Sequence, residues 1–282
     1  MDPERVTLAA GAEAERMVEK VRERYGRIAQ GEEGGCCGPQ GVCGSPEGTI
    51  ALGLGYRPEE LAQVPADTNL GLGCGAPLTF LALQEGETVL DLGSGPGLDA
   101  LLAARQVGPG GRVIGVDMTP AMIDKARGAA ERLGLTHVEF RPGRLESLPV
   151  DDGSVDAVTS NCVINLVPDK GAVFAEAARV LRRGGRLVIS DIVLDGMLPP
   201  AVEKDVMAYV GCISGAAQRA DYFRLVREAG LGAVEILRDV DYVAAMEEVA
   251  PAEVAALLAR AGARLEDVAG KVRSITFRAV KA

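Results

Sequence analysis

Short apolar runs alternate with amphipathic segments through the middle of the chain. Runs of strand length predict buried strands at 88–91, 112–117, 138–141, 155–160 and 186–191. Segments with apolar residues at helical spacing lie at 100–106, 120–133 and 171–181. Strand–helix units repeated in this way form parallel sheets with helices on both faces. The pattern predicts an α/β fold with a doubly wound, mostly parallel sheet.

A different pattern precedes this alternation. Residues 12–28 place apolar side chains on one face with charges between them, which predicts an amphipathic helix. Residues 31–48 are rich in glycine and predict a flexible loop, and Pro58 suits the start of a short helix. We therefore divide the chain into an N-terminal helical and loop extension, 1–74, and a main domain, 75–282.

The last third of the chain continues the alternation. Further helices are expected at 202–210, 220–229 and 252–261, and further strands at 233–237 and 272–280. Thr119 and Pro120 suit the N-cap and the first position of the helix that follows them. Arg182, Arg183 and Gly184 are typical of a helix C-terminus, so we expect the preceding helix to end there.

Composition and charge exclude some classes of function. The net charge of -10, the 4% of aromatic residues and the absence of tryptophan argue against a nucleic-acid partner. No stretch approaches the roughly 20 apolar residues of a membrane span. The start lacks the pattern of a secretory signal, so the six cysteines are expected to be reduced thiols in the cytoplasm.

A glycine-rich turn, Asp91-Leu92-Gly93-Ser94-Gly95-Pro96-Gly97, follows the strand at 88–91. Its G-x-G-x-G spacing differs from the G-x-G-x-x-G of dinucleotide sites. The carboxylate of Asp91 suits a cationic amino acid group and would repel a phosphate. Asp117 ends the next strand, where an acidic side chain can hold ribose hydroxyls. The alternative is that both aspartates only cap strand ends; together with the turn, they predict a site for S-adenosylmethionine.

These segments resemble the class I S-adenosylmethionine-dependent methyltransferases, and the resemblance implies a Rossmann-like sheet. Many relatives have Gly-Asp where this chain has Gly143-Arg144. Glu146 is therefore the expected substitute beside the adenine. The expected cofactor-binding residues are Asp91, Gly93, Ser94, Gly95, Gly97, Asp117, Met118, Leu145, Glu146 and Asn161.

Cysteines stand in three loops that the predicted topology brings to one edge of the sheet. Cys162 follows the fourth strand, Cys74 lies just before the main domain, and Cys212 follows the fifth strand and its loop. A single cysteine is most often a small buried hydrophobic residue. Three thiols beside a methyl-donor site instead predict a site for a soft, thiophilic element, since thiolates select such ions.

Three further cysteines, Cys36, Cys37 and Cys43, stand in the glycine-rich loop. A structural zinc knuckle is one interpretation, but C-x-x-C pairs and a nearby histidine are missing. The only histidine, His137, is expected to be a solvent-exposed connector before the third strand.

The run Ser160-Asn161-Cys162-Val163-Ile164-Asn165-Leu166-Val167-Pro168-Asp169-Lys170 resembles the arsenite methyltransferases. The elements around Cys74 and Cys212 resemble them too. This resemblance implies that Cys74, Cys162 and Cys212 bind trivalent arsenic. It also implies that a further N-terminal cysteine takes part in a redox cycle, a role for which Cys36, Cys37 and Cys43 all remain candidates.

The resemblance implies methyl transfer from S-adenosylmethionine to thiolate-bound arsenite, free or thiol-conjugated, as a means of detoxification. Glutathione or thioredoxin is the expected reductant. The arsenic lone pair carries no proton, so this chemistry requires no general base. Two alternatives stay open: a methyltransferase for carbon, oxygen or nitrogen of a small metabolite, and a thiol-based metalloid binder without turnover.

Overall fold

A seven-stranded sheet forms the centre of the computed structural model, which describes residues 3–32, 47–203, 215–249 and 251–282. Its strands are β1 (Thr88–Leu92), β2 (Arg112–Asp117), β3 (Val138–Pro142), β4 (Val155–Asn161), β5 (Leu181–Leu194), β6 (Leu231–Asp241) and β7 (Val272–Lys281). Their order is β3-β2-β1-β4-β5-β7-β6. The first five strands are parallel, and β7 lies antiparallel between β5 and β6. The predicted doubly wound, mostly parallel α/β sheet is confirmed.

Helices cover both faces of the sheet. They are α1 (Pro3–Gln30), α2 (Glu47–Leu54), α3 (Pro58–Leu61), α4 (Leu78–Leu81), α5 (Leu98–Val107), α6 (Pro120–Leu133), α7 (Lys170–Val180), α8 (Pro200–Glu203), α9 (Arg219–Glu228), α10 (Tyr242–Val249), α11 (Pro251–Ala261) and α12 (Leu265–Val268). Short 3-10 turns lie at Ala66–Thr68 and Ile164–Leu166. Helix α6 begins with Thr119 at the N-cap and Pro120 at the first position, as predicted, although the Thr119 side chain makes no capping bond.

Alternate residues of the central strands enter different hydrophobic clusters. Leu90 of β1 packs in a cluster that contains Phe174 of α7 and Tyr222 of α9. Its neighbour Val89 packs in a second cluster with Leu101 of α5. Successive side chains of a strand point to opposite faces, so the sheet is buried on both sides. This burial fixes the strand register and thereby the position of the loops at the carboxyl edge.

The structure corrects two predicted strand boundaries. β5 begins at Leu181, and the predicted helix terminators at 182–184 lie within the strand. Val155 pairs with Leu181 whereas Ala157 pairs with Arg186, so the intervening residues form an irregularity in which the arginines reach solvent. β6 is longer than the predicted 233–237. It is an edge strand, and its exposed residues, which include Gly232, Ala233 and Ile236, do not alternate regularly with buried ones.

Three other predictions need correction or lie outside the description. His137 is half-buried, and its Nε2 lies 3.0 Å from the carbonyl oxygen of Ala104, so it is not a free connector. Of the predicted loop at 31–48, residues 33–46 lie outside the described residues, and α2 begins at Glu47. The helix predicted at 202–210 falls mostly in the undescribed range 204–214. Within the described ranges, no helix has the length and apolar character of a bilayer span.

Candidate functional site

A cavity opens at the carboxyl ends of β1, β2 and β4, the edge where doubly wound sheets bind ligands. It encloses about 1160 Å³ of space, a volume that includes its open mouth. Most of the predicted cofactor residues line it: Asp91, Gly93, Ser94, Gly95, Asp117, Met118, Leu145, Glu146 and Asn161. Gly97 is not among its lining residues. Gly97 instead caps α5, and a Cβ there would press on Phe140 at 3.0 Å.

The glycine turn is shaped by close approach and by hydrogen bonds to the next strand. Gly93 has φ +67°, and a Cβ at this position would overlap Val163. The Gly95 N–H donates to Asp117 Oδ2 at 3.0 Å, and the Thr119 N–H donates to Asp117 Oδ1 at 2.8 Å. Asp117 is therefore held in place where it lines the cavity.

Two buried polar atoms of this region lack partners. Asp91 Oδ2 and Ser94 Oγ are both buried without a hydrogen-bond partner among the residues that the structure describes. Burial raises the pKa of Asp91 well above its ordinary value, and the charges of Asp99 and Asp117 raise it further. Because an unpaired buried carboxylate is costly, this arrangement favours a cationic ligand group beside Asp91.

Asn161 joins the cavity to the segment that carries Cys74. Its Oδ1 accepts from the Cys74 N–H at 3.0 Å, and its Nδ2 donates to the Gly75 carbonyl at 2.8 Å. The same Nδ2 lies 2.9 Å from Tyr56 Oη and 3.2 Å from Asp99 Oδ2. Asn161 thus fixes the backbone on both sides of the Cys74 side chain.

Tyr56 and Asp99 form a buried pair at the cavity that is not among the residues predicted from the sequence. Tyr56 Oη donates to Asp99 Oδ1 at 2.7 Å, and both side chains are buried. Burial raises the pKa of Asp99 to about 6, although hydrogen bonds from Tyr56 and Asn161 oppose the shift. The signal for Asp99 was a carboxylate in the first turn of a helix that is otherwise apolar up to Ala104 and follows the glycine turn. Tyr56 carried no comparable signal.

Cys74 is buried and its backbone is anchored from two directions. Besides the bond from its N–H to Asn161, its carbonyl accepts from Ser274 Oγ of β7 at 2.6 Å. A Cβ at the flanking Gly75 would overlap the Ser190 hydroxyl of β5. The glycine lets the Cys74 segment lie directly against the sheet.

Cys162 follows β4 directly in a strained conformation. Its φ is +60°, a left-handed value that a non-glycine residue rarely adopts. Its N–H donates to the Ser190 carbonyl at 2.8 Å, which helps to hold this conformation. Cys162 also lines the cavity.

The two described thiols meet beside a carboxylate. The sulfur atoms of Cys74 and Cys162 and a carboxylate oxygen of Asp191 all lie within 4.8 Å of one another, and all three residues are buried. The structure therefore brings together two of the three cysteines expected to bind arsenic. The other cysteines of the predicted site, Cys36, Cys37, Cys43 and Cys212, lie outside the described residues.

Asp191, which the sequence analysis did not select, is held by three donors. Asn165 Nδ2 and the Ile192 N–H each donate to Oδ1 at 2.9 Å, and Tyr222 Oη donates to Oδ2 at 2.9 Å. Burial raises the pKa of this carboxyl to about 7 in spite of these bonds. The sequence feature that could have identified Asp191 is its position at the end of a predicted apolar strand, the position that Asp91 also has.

Helix α1 lies across the opening of the cavity. Val18, Val21 and Tyr25 of α1 are among the lining residues. Arg144, found where many methyltransferases have aspartate, bonds Glu15 of α1 at 2.8 Å and Glu146 at 2.9 Å. The departure from the common pattern therefore fastens the N-terminal helix over the region where Glu146 lies.

The chain is similar to known methyltransferases. Residues 83–230 match the family described as "Methyltransferase domain". An arsenite methyltransferase of Halobacterium salinarum is 47% identical over 84% of this chain and 62% of its own length. One from Aquipseudomonas alcaligenes is 37% identical over 79% of this chain and 64% of its own length. The chain thus spans somewhat less than two thirds of these relatives.

A solved structure supports the same comparison. The arsenic(III) S-adenosylmethionine methyltransferase from Chlamydomonas reinhardtii superposes with a TM-score of 0.62 at 35% identity. The match covers 83% of this chain and 73% of that chain. These likenesses confirm the resemblance to arsenite methyltransferases that the sequence indicated.

Proposed function

Since the chain belongs to the family of methyltransferase domains, we propose that it transfers the methyl group of S-adenosylmethionine to arsenite held by cysteine thiolates. The observation that carries this proposal is the meeting of Cys74 and Cys162 beside the cavity. The two residues come from separate segments, yet each is fixed by backbone hydrogen bonds. A pair of fixed thiols at the edge of a cofactor cavity suits a thiophilic substrate.

The residues of the cavity fit S-adenosylmethionine. We infer that the unpartnered Asp91 Oδ2 takes the cationic amino group and that Ser94 Oγ takes a neighbouring polar atom of the cofactor. Asp117 holds the ribose hydroxyls, and Glu146 with Leu145 borders the adenine. When bound, the cofactor supplies an electrophilic methyl group. Asn161 contributes mainly by positioning Cys74.

The thiols hold and orient the substrate. Arsenite loses hydroxyl groups as water while As–S bonds form to Cys74 and Cys162, and we assign the third bond to Cys212. Arsenic keeps its lone pair in this state and would attack the methyl carbon while the bond from that carbon to the sulfonium sulfur breaks, so that S-adenosylhomocysteine would leave with the bonding electron pair. Positioning of the two reactants supplies the main catalytic effect, which for well-oriented groups is worth on the order of 7–11 kcal/mol. No side chain has to remove a proton in this step.

Methyl transfer leaves arsenic formally pentavalent. Two cysteine thiols return it to the trivalent state when they give up two electrons and form a disulfide. We assign one of these thiols to Cys36, Cys37 or Cys43, and the reopening of the disulfide to thioredoxin or glutathione. These reductants are cytoplasmic, so the proposal includes a cytoplasmic location and a role in arsenic detoxification.

The proposal is tested by incubating the pure protein with arsenite, glutathione and S-adenosylmethionine labelled in its methyl group. We expect labelled methylarsenicals when the arsenic species are separated, and we expect thiol blocking to stop their formation. Label on a carbon, oxygen or nitrogen acceptor that survives thiol blocking would instead establish the small-molecule methyltransferase. Tight arsenite binding without any labelled product would establish a metalloid binder.

A further inference from the structure

The carboxylate beside the two thiols has no role in the proposed methyl transfer. Asp191 is fully buried, and arsenic held by thiols has no need of a carboxylate. Its oxygen nevertheless lies within 4.8 Å of both sulfur atoms. Donors that bind one zinc ion lie about 3.5–4 Å apart, given bonds of about 2.3 Å to sulfur and about 2.0–2.2 Å to oxygen. The three donors, all within 4.8 Å of one another, are therefore at most about 1 Å farther apart than in such a site.

The donor set is typical of a thiophilic divalent cation. Once deprotonated, the two thiols and the carboxyl place three negative charges in one buried corner, and a dication compensates most of that charge. Thiolate and carboxylate together are ligands that zinc accepts in proteins, and sites with three protein ligands keep a fourth position open. Cys162 lines the cavity, so a cation has access to the site from that side.

The residues around Asp191 form an outer shell. Ligating carboxylates in metal sites are themselves hydrogen-bonded, which fixes their orientation. Asp191 has this support from Asn165 and the Ile192 N–H on one oxygen and from Tyr222 on the other. All these groups donate, so they leave the remaining carboxylate lone pairs for a cation.

We propose that Cys74, Cys162 and Asp191 form a binding site for a thiophilic divalent cation of the zinc and cadmium class, which competes with arsenite for the two thiols. Binding releases the thiol protons to solvent. The competition rests on the proposed function, whereas the cation site itself does not.

The test uses the full chain with Cys36, Cys37, Cys43 and Cys212 all replaced by serine, so that the other thiols bind no metal. Cadmium is titrated, with the ultraviolet thiolate–cadmium band reporting bound sulfur and a chelating indicator reporting affinity. We expect one equivalent. In Asp191→Asn the hydrogen-bond network is kept when the Tyr222 hydroxyl turns to accept a hydrogen bond from the new amide. The variant should weaken cadmium binding at least about tenfold, because the anionic ligand is lost.

Matched variants separate the donor role from a structural one. Tyr222→Phe removes only an outer-shell bond and should weaken cadmium binding by about tenfold. Asp195→Asn removes a carboxylate just beyond the same strand, where it pairs with Arg219, and should leave the affinity unchanged. Binding of S-adenosylmethionine and the unfolding midpoint verify that each variant is folded. Cadmium affinity that is unchanged in both Asp191→Asn and Tyr222→Phe overturns the inference.

The two proposals fail separately. Wild-type protein that methylates arsenite, with inhibition by zinc that arsenite overcomes, supports the competition. Methylation that zinc does not inhibit leaves the proposed function intact and overturns the competition. An Asp191-dependent cadmium site in a protein that does not methylate arsenite leaves the cation site intact and overturns the proposed function.

Discussion

Two neighbouring regions of this protein are built in different ways. The cofactor half consists of the glycine turn with Asp91 and Asp117, and the thiol corner consists of Cys74, Cys162 and Asp191. The bond from Gly95 to Asp117 joins residues 22 positions apart. Cys74, in contrast, bonds Asn161 and Ser274, which are 87 and 200 positions away. The cofactor half is a nearly local structure, whereas the thiol corner exists only when the whole sheet has formed.

The two regions also differ in whether their buried polar atoms have hydrogen-bond partners. In the cofactor half, Asp91 Oδ2 and Ser94 Oγ are buried without a described partner. In the thiol corner, both oxygens of Asp191 accept hydrogen bonds, and the backbone around each thiol is anchored. A ligand of the cofactor half therefore supplies hydrogen-bond partners to atoms that lack them. A soft ion in the thiol corner instead replaces the protons of the two thiols.

Removal of a thiol should have the largest effect and separate the regions most clearly. Cys162→Ser and Cys74→Ser are each expected to abolish arsenite methylation, because a hydroxyl is a poor ligand for a soft element. Binding of S-adenosylmethionine, measured by calorimetry, should stay at the wild-type level. Methylation at the wild-type rate in either variant would remove that thiol from the mechanism.

Neutralising Asp91 should weaken cofactor binding in the cofactor half. Asp91→Asn is expected to weaken binding of S-adenosylmethionine about 10- to 100-fold, the usual effect of losing a hydrogen bond to a charged group. Arsenite binding should persist. Asp124→Asn, on the exposed face of α6, serves as the matched control and should bind the cofactor normally. Equal cofactor affinities of the two variants would contradict the assignment of Asp91.

The link between the two regions is tested at Asn161. Asn161→Ala removes the bonds to Cys74 and Gly75 and leaves their backbone groups without these partners. We expect kcat to fall about tenfold, with a smaller loss of cofactor affinity, given the usual value of about 1–1.5 kcal/mol for such bonds. Kinetics with arsenite and cofactor varied separately measure both effects. A loss confined to cofactor affinity would make Asn161 a cofactor contact instead.

The ion pair at the cavity mouth should matter less. Arg144 and Glu15 are both exposed, and such pairs contribute about 0.2–1 kcal/mol. We expect Glu15→Gln to change cofactor affinity by less than about fivefold, an effect that weakens further at high salt. A double-mutant cycle with Arg144→Met isolates the pair. A coupling energy of zero would show that α1 is held by its apolar face alone.

A further expected effect concerns the pH dependence of stability, and it involves neither the thiols nor a bound ligand. The pKa of Asp99 is raised from its ordinary value of 3.8 to about 6, mainly by burial. The folded chain binds this proton more tightly than the unfolded chain. Its contribution to stability is therefore complete below about pH 4 and is lost as the pH rises through about 6. Urea unfolding across this range should give Asp99→Asn a flatter profile than wild type, and parallel profiles would refute the shift.

The cofactor half could be predicted from the sequence because its signals are contiguous. Local spacing alone identifies the turn from Asp91 to Gly97 and the aspartate at the end of the next strand. Gly97 is the exception within the turn, since it caps α5 and leaves room for Phe140, a residue that spacing alone does not reveal.

The thiol corner could be predicted only in part. Cys74 and Cys162 were selected because parallel strands bring their loops to one edge, and the resemblance supported that choice. Asp191 and Tyr56 were missed because their roles depend on partners from distant segments, such as Tyr222 and Asp99. The edge strand β6 is longer than predicted because its buried and exposed positions do not alternate regularly, and strand prediction depends on that alternation.

At Cys162, fold stability and the proposed activity favour different residues, because the left-handed backbone favours glycine whereas the activity requires a thiol. Glycine would adopt φ +60° without the steric cost that a side chain incurs there. Cys162→Gly should therefore relieve this cost while it eliminates the sulfur. Selection for a more robust fold alone would favour glycine at this position, so we expect cysteine to be retained there only where the proposed thiol function is under selection.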